Sequence, residues 1–444
     1  MGVLLQAFFW DCPSVENREG RWWDRLAPEL PALKQDGFSA LWLPPVSKAA
    51  EWNSMGYDVY DYFDLGAYDQ KGRTETWFGT QQSLVSLIQA AHNNSFQVYA
   101  DVVLNHNSGA DAQETNGIDG QVRWTKFTPK SGKFPRDWRC FHPSPYETMD
   151  GLPTFGGLPD LCHRDPRVYA AMMEYTRWLI EEIGFDGFRF DFVQGYGPWL
   201  VKGIAEYRYK RNNNDIRPFC VGECWESDLQ VDQWLTSVND AVMDNAVSAF
   251  DFPLQSNLKG LCDRYGYDLR TLTSGSVLER FPTETVTFVD NHDTVRDPAD
   301  AVINDKMLAY AVILTGEGYP CVFWQDYFNF GLAARGTPNG IAALVAAHEK
   351  YAGGATSILY SDHDLFILQR SGFGAQPGLI FVLNNRGDAW NGRSVNTLWH
   401  SRKMTPVAWW GKSDQSGPAD KWTDLNGAAD FWAAPRGYAV YVPA

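Results

Sequence analysis

This 444-residue sequence predicts a (β/α)8 barrel with an irregular insertion after its third strand and an antiparallel β domain at its C-terminal end. Three observations predict it. Short apolar runs alternate with amphipathic stretches eight times before about residue 352. The ends of the later runs recur at a steady interval: 32 positions from Asp191 to Glu223, 67 from Glu223 to Asp290 and 33 from Asp290 to Phe323. A barrel of about 250 residues allots roughly 31 to each unit. From Asn105 to Gly187 the interval is 82, roughly 50 more than one unit. The excess falls in 107–165, where Gly, Pro, Asn, Asp and isolated aromatics break every period. The expected boundaries are 1–106 and 166–351 for the barrel, 107–165 for the insertion and 352–444 for the C-terminal β domain.

Residues 4–10 (LLQAFFW) read as the first buried strand, and 23–33 as a helix that Gly37 stops. Residues 40–44 form the second strand, ended by Pro44-Pro45. A polar loop carrying Gly56-Tyr57-Asp58 runs to about residue 78. Thr80 caps the next helix, whose Leu84, Leu87, Ile88 and Ala91 share one face. Residues 98–105 are the third strand. After the irregular stretch, Asp165-Pro166 supplies an N-cap and a proline at the first helical position, with Met172, Tyr175, Leu179 and Ile183 as the buried stripe. Strand 187–191 (GFRFD) follows. Then come helix 198–209, strand 219–224, helix 229–238, strand 248–252 and helix 254–264. Strand 286–291, helix 301–314, strand 321–324 and helix 341–349 complete the series. Beyond it, 364–370, 378–385, 394–398, 406–410 and 438–442 read as strands between Gly, Asn and Asp turns.

The net charge of −16 argues against a nucleic-acid partner and against an anionic membrane surface. No apolar run is long enough for a transmembrane helix. Met1-Gly2-Val3-Leu4-Leu5 lacks a basic leader region and a cleavage site, which leaves an intracellular protein or one whose leader has been removed. Aromatics make up 15% of the chain, with 19 Trp, and tryptophan suits apolar surfaces with a polar rim, such as sugar clefts. The seven cysteines are scattered, so no disulfide framework is legible, although one or two bridges stay open. Cys220 and Cys224 fall on one face of a strand.

Catalysis in such a barrel lies at the carboxyl ends of the strands. Asp101, Asn105 and His106 follow the third strand. Arg189 and Asp191 end the fourth, Glu223 the fifth, and Asn291, His292 and Asp293 the seventh. Arg189 and Asp191 alone read equally well as a strand-end salt bridge. Several converging carboxylates are costly unless a site uses them. Metal-assisted chemistry would want more direct ligands, and Arg189 sits badly beside a cation. Phosphate chemistry would want basic residues or a Gly-rich helix N-terminus. Glycoside hydrolysis needs a carboxylate on one side of the sugar and a protonated acid on the other. The aromatic content and acidic balance favour the sugar.

Asp101-Val-Val-Leu-Asn105-His106, Gly187-Phe-Arg-Phe-Asp191, Val221-Gly-Glu223 and Phe288-Val-Asp-Asn-His292-Asp293 resemble, in order and spacing, the four signature regions of the α-amylase family, glycoside hydrolase family 13. The wording of QAFFWD, SMGYDVYDYFDLG, TFGGLPDL and FDFVQGY is most similar to the plant, archaeal and maltooligosaccharide-forming bacterial members. The resemblance covers essentially the whole chain, with 107–165 and the β tail standing for that family's B and C domains.

The resemblance implies that Asp191 is the nucleophile, kept charged by Arg189, and that Glu223 is the acid and then the base. Asp293 would grip hydroxyls of the −1 sugar, His106 and His292 would donate to the same sugar, and Tyr57 would stack beneath it. It implies a Ca2+ site of Asn105, Asp160 and the Gly195 carbonyl, with Asp150 as a fourth ligand, pinning the insertion over the cleft. Some relatives carry a second, zinc-like site. Here His142 and Cys162 are present but a second histidine is missing from 143–150, so zinc is not expected. Gln194 replaces a lysine common in the family, which implies weaker or altered +2 binding. Trp225 is a candidate stacking platform beyond Glu223, and Trp22-Trp23 and Trp409-Trp410 are candidate surface starch sites.

The implied activity is calcium-dependent, retaining endo-hydrolysis of α-1,4-glucosidic bonds in starch, glycogen and maltooligosaccharides. The alternatives are an exo-acting maltooligosaccharide former, a transglycosylase on the same site, or a non-catalytic glucan-binding homologue. A monomer without nucleic-acid or membrane partners is expected. An extracellular location is favoured because polymeric starch lies outside most cells, with a cytoplasmic one as the alternative.

Overall fold

Runs such as VLLQ and FSALWL are mostly apolar because both faces of their strands are covered, as parallel sheets require. The computed structural model describes residues 2–13, 21–211, 213–239 and 246–444. In it β1 is Val3–Gln6, β2 Phe38–Leu43, β3 Gln97–Val102 and β4 Gly187–Phe190. β5 is Phe219–Gly222, β6 Ser248–Phe250, β7 Thr285–Phe288 and β8 Tyr319–Phe323. The eight close into a barrel in sequence order, with β8 returning to β1. The expected fold class is the observed one. Every residue of β1, β4, β7 and β8 is buried. Arg189 of β4 is in register with Asp101 of β3 and Val221 of β5.

By its contacts the chain divides into two compact units. One is Trp10–Pro31 with Ala40–Phe250, and the other is Met1–Phe9, Ala32–Ser39 and Asp251–Ala444. In the first, the Thr80 side chain accepts from Ser83 N in a capping box that opens helix Gln81–Asn93. Asp165 caps helix Pro166–Trp178 through Arg167 N. That helix widens into a π turn, Leu179–Ile183, and stops at Gly184, whose φ of 104° needs a residue without a side chain. The stretch expected to be irregular contains an antiparallel hairpin, Ala112–Thr115 with Val122–Lys126. Helix Pro198–Ala205 is four residues shorter than expected. A second hairpin, Tyr209–Arg211 with Asn214–Ile216, follows it.

In the second unit, the helix expected over 301–314 begins only at Lys306. Ile303 N and Asn304 N donate to Asp263, at 3.1 and 2.7 Å, and Asp305 takes a left-handed φ of 42°. The segment is therefore tied down as a loop. The terminal sheet has six strands: Thr356–Ser361, Leu365–Arg370, Leu379–Asn384, Gly437–Pro443, Lys403–Gly411 and Lys421–Trp422. Asn391–Asn396 pairs separately with Ala428–Ala433. The buried Arg436 ties this region to helix Phe252–Asp263, donating to Leu261 O at 2.6 Å and Cys262 O at 2.8 Å, with Asp305 Oδ2 2.9 Å away.

All seven cysteines are buried free thiols, so neither bridge left open by the sequence forms. The Trp22-Trp23 pair does not make a surface platform. Trp22 and Trp23 are 3% and 1% exposed because they are the buried face of helix Trp22–Leu26, with Trp23 against Phe78. Trp409 packs on the core of the terminal sheet. The exposed indoles among the described residues are Trp124, Trp225, Trp422 and Trp432. No helix among those residues is long and apolar enough to cross a membrane.

His163 is fully enclosed beside the ring of Tyr196, with Nε2 2.9 Å from Leu104 O. Burial pushes its imidazole down to about 4. The neutral ring therefore stabilises the fold fully above the unfolded value near 6.5, and this is lost as pH falls from there towards 4. Urea titrations from pH 7 to pH 4 should show a loss of about 3 kcal/mol. His163→Gln, which keeps a donor for Leu104 but does not titrate, should remove most of that slope.

Candidate active site

The register of β3, β4 and β5 gathers three carboxylates around one guanidinium. Arg189 Nη1 donates to Asp101 Oδ1 at 2.9 Å and to Asp191 Oδ1 at 2.8 Å, and Nη2 lies 2.6 Å from Glu223 Oε1. The expected pair is thus a four-body cluster. Asp191 and Glu223 follow the last residues of β4 and β5, and their backbones stay on the ladder: Asp191 N donates to Val102 O and Glu223 N to Phe190 O. Phe192 takes a left-handed φ of 47°, and its N–H reaches Glu223 Oε2 at 3.0 Å. That conformation is costly for a non-glycine residue and is held here by the hydrogen bond and the packing around it. Asp101 is the most enclosed of the three and also accepts from Trp42 Nε1 at 3.1 Å and Tyr57 OH at 2.9 Å. Burial pushes its carboxyl well up, against the pull of Arg189 and with help from Asp191.

Aromatic rings stand beside this cluster. Tyr57 stacks on Trp10 at 5.8 Å and 15°. His106 Nε2 is 2.9 Å from Tyr57 O, and its ring stacks on Phe155 at 4.7 Å and 6°. Phe155 in turn meets Phe192 edge-on. Trp10 and Phe155 have no assigned role from the sequence, although both lie in QAFFWD and TFGGLPDL, where an aromatic beside polar residues was the available signal. Trp225 is 39% exposed, which suits a platform. Gln194 has its Oε1 buried without a hydrogen-bond partner among the described residues.

His292 and Asp293 belong to the second unit. His292 is fully buried against Phe8, with Gln6 Nε2 2.9 Å from its Nδ1. Its Nε2 lies 3.1 Å from Asp293 Oδ2. Asp293 keeps partial access to solvent, and Arg296 Nη1 approaches its Oδ1 at 3.3 Å. Both therefore sit on the loop after β7, with the aspartate reachable and the histidine held from behind.

The proposed calcium ligands pass a donor test. Asn105 Oδ1 and Asp160 Oδ1 are buried oxygens without hydrogen-bond partners. A Cβ on Gly195 would fall 2.2 Å from Asn105 Oδ1, so only glycine lets that backbone come close. Asp150, Asp160 and His142 bring ligand-type atoms within 4.8 Å of one another. Oxygen-rich donors with unmet acceptors suit a hard cation. The same spacing holds for His142, Glu147 and Cys162, so Glu147 stands where the sequence lacked a histidine.

The family profile for the α-amylase catalytic domain matches residues 23–326. The chain belongs to the α-amylase family. It is 32% identical over 438 residues to an α-amylase of Geobacillus stearothermophilus, covering 85% of this chain and 76% of that one. It is 31% identical over 439 residues to a glucan 1,4-α-maltohexaosidase of Bacillus sp. strain 707, covering 86% and 82%. Its fold matches the crystal structure of an α-amylase from Geobacillus thermoleovorans complexed with acarbose. The TM-score is 0.71 at 19% identity, over 100% of this chain and 98% of that one.

As a member of this α-amylase family the chain is a glycoside hydrolase. Its three carboxylates share one buried cation, so removing that cation strands them. Arg189→Met should cost about 3–5 kcal/mol at pH 7, because uncompensated buried charge is left behind. Guanidinium unfolding should show the loss shrinking as pH falls and the Asp101 carboxyl, raised by burial, takes up its proton.

Proposed function

We propose that this chain hydrolyses α-1,4-glucosidic bonds within starch, glycogen and maltooligosaccharides, with retention of configuration. The observation that carries the reading is the single guanidinium touching both Asp191 and Glu223. It supports the short spacing of about 5–5.5 Å that a retaining pair needs.

Asp191 attacks the anomeric carbon as the bond to the leaving oxygen breaks, and Glu223 delivers a proton to that oxygen. Water then enters, Glu223 takes its proton, and the glucosyl–Asp191 ester is cleaved. Asp293 and His292 hold hydroxyls of the −1 sugar and tighten as positive charge develops, and Tyr57 and His106 line the same sugar. Trp225 and Gln194 address the leaving-group side, the uncharged Gln194 weakening or altering +2 binding. Asn105, Asp150, Asp160 and Gly195 would hold Ca2+, which when bound supplies structural charge rather than chemistry. These ligands join the 150–160 loop to the loops after β3 and β4.

Glu223→Gln should abolish release of reducing sugar from soluble starch while calorimetry still records maltoheptaose binding. Loss of binding together with turnover would sink the assigned role. A product time course separates the readings: mixed long oligosaccharides at early times mark endo-hydrolysis, and one dominant maltooligosaccharide marks an exo-acting enzyme. New glucan linkages without reducing ends mark a transglycosylase. Chelation with EDTA should lower the melting temperature, and added Ca2+ should restore it. An unchanged melting temperature would count against the calcium site.

A further inference from the structure

Beneath the loop that carries His292 and Asp293 lies a buried charge cluster that no catalytic step uses. Lys306 is the first residue of helix Lys306–Thr315, where a cation opposes the helix dipole. Its ammonium is nonetheless largely enclosed, 2.7 Å from Asp290 Oδ2 and 2.5 Å from Asp326 Oδ1. Asp326 Oδ2 accepts from Tyr310 OH at 2.6 Å. Asp290 follows β7 and Asp326 follows β8, so one ammonium joins the ends of two neighbouring strands.

A chain of hydrogen bonds rises from Asp290 to the loop. Asp290 Oδ1 accepts from Thr294 Oγ1 at 2.9 Å and from Val302 N at 3.2 Å. Thr294 Oγ1 accepts from Asn291 N at 2.9 Å. Asn291 Oδ1 accepts from Asp293 N at 2.8 Å and Thr294 N at 2.9 Å. The backbone of Asp293 is therefore referenced, bond by bond, to the Lys306–Asp290 pair. Buried ion clusters contribute little net stability compared with apolar packing. Their placement directly under a functional loop points to geometry as the reason for this one.

Resting on the amylase reading, we infer that Lys306 is a positioning residue for Asp293, acting through Asp290, Thr294 and Asn291. Lys306 sets where the Asp293 carboxylate meets the −1 sugar in the transition state without itself touching substrate. Loss of that placement lowers kcat more than it raises KM, because the affected contact strengthens only as charge develops.

The test uses the full chain, soluble starch and an aryl maltooligoside, with melting temperatures recorded in parallel. Lys306→Met and Thr294→Val should each lower kcat about tenfold or more with KM changed by less than about threefold, and Lys306→Arg should recover most of the loss. In an Asp293→Asn background the residual rate should fall no further than about twofold on adding either substitution, because the network acts through that residue. Thr294→Val leaves the ion cluster intact, so it decides the matter if Lys306→Met does not fold. A folded Thr294→Val with unchanged kcat, or a loss that multiplies in the Asp293→Asn background, overturns the inference while leaving the amylase reading in place. A wild-type chain that releases no reducing sugar overturns both.

Discussion

The site depends on one guanidinium in a place where charge is expensive. Arg189 is enclosed by parallel strands on either side and neutralises only part of the charge of Asp101, Asp191 and Glu223. Three carboxylates against one cation leave a surplus of negative charge, and the Asp101 carboxyl, raised chiefly by burial, is raised further by Asp191. A neutral sugar that becomes oxocarbenium-like in its transition state meets a field already favourable to that change. The arrangement is poor for stability and good for catalysis, which is the exchange expected of an active site.

Much of this was legible in the chain because the barrel repeats itself. The interval between strand ends is set by the length of a strand, a helix and two turns, so the spacing alone places Asp191, Glu223 and Asp290 at the ends of the fourth, fifth and seventh strands. The four-body cluster was not legible. Sequence spacing puts Arg189 and Asp191 on one face of one strand, but the neighbour to which the arginine turns depends on register between strands, which only the folded sheet determines. The separate pair of C-terminal strands, Asn391–Asn396 with Ala428–Ala433, is only partly legible in the sequence, for a related reason. Strand Ala428–Ala433 shows Asp430 and Trp432 to solvent between the buried Phe431 and Ala433, so it lacks the apolar run that marks a barrel strand. Trp22 and Trp23, adjacent aromatics that suggest a surface starch site, are both buried by a single helix turn.

The insertion shows how a long polar loop is kept in one place. His106 pairs with Asp160 as a bridge, and Leu161 N donates to Asn105 O. The start and end of the insertion are thus stitched together close to the unmet oxygens of Asn105 and Asp160. Phe155 lies between the stacked His106 and the strained Phe192. Any shift of this segment is therefore felt at the residue whose N–H holds Glu223, a direct packing route from the unmet oxygens to that carboxylate.

The burial of all seven thiols has a chemical consequence for the surface. Enclosure raises the Cys140, Cys220, Cys224, Cys262 and Cys321 thiols well above their ordinary range, so they stay protonated and poorly nucleophilic. Oxidants therefore meet thioether sulfur first, and Met149 is 76% exposed. It precedes Asp150 in the loop that also carries Phe155. A sulfoxide there would put a polar, chiral group next to Asp150, so that oxidative damage would begin in this exposed loop and leave the barrel core untouched.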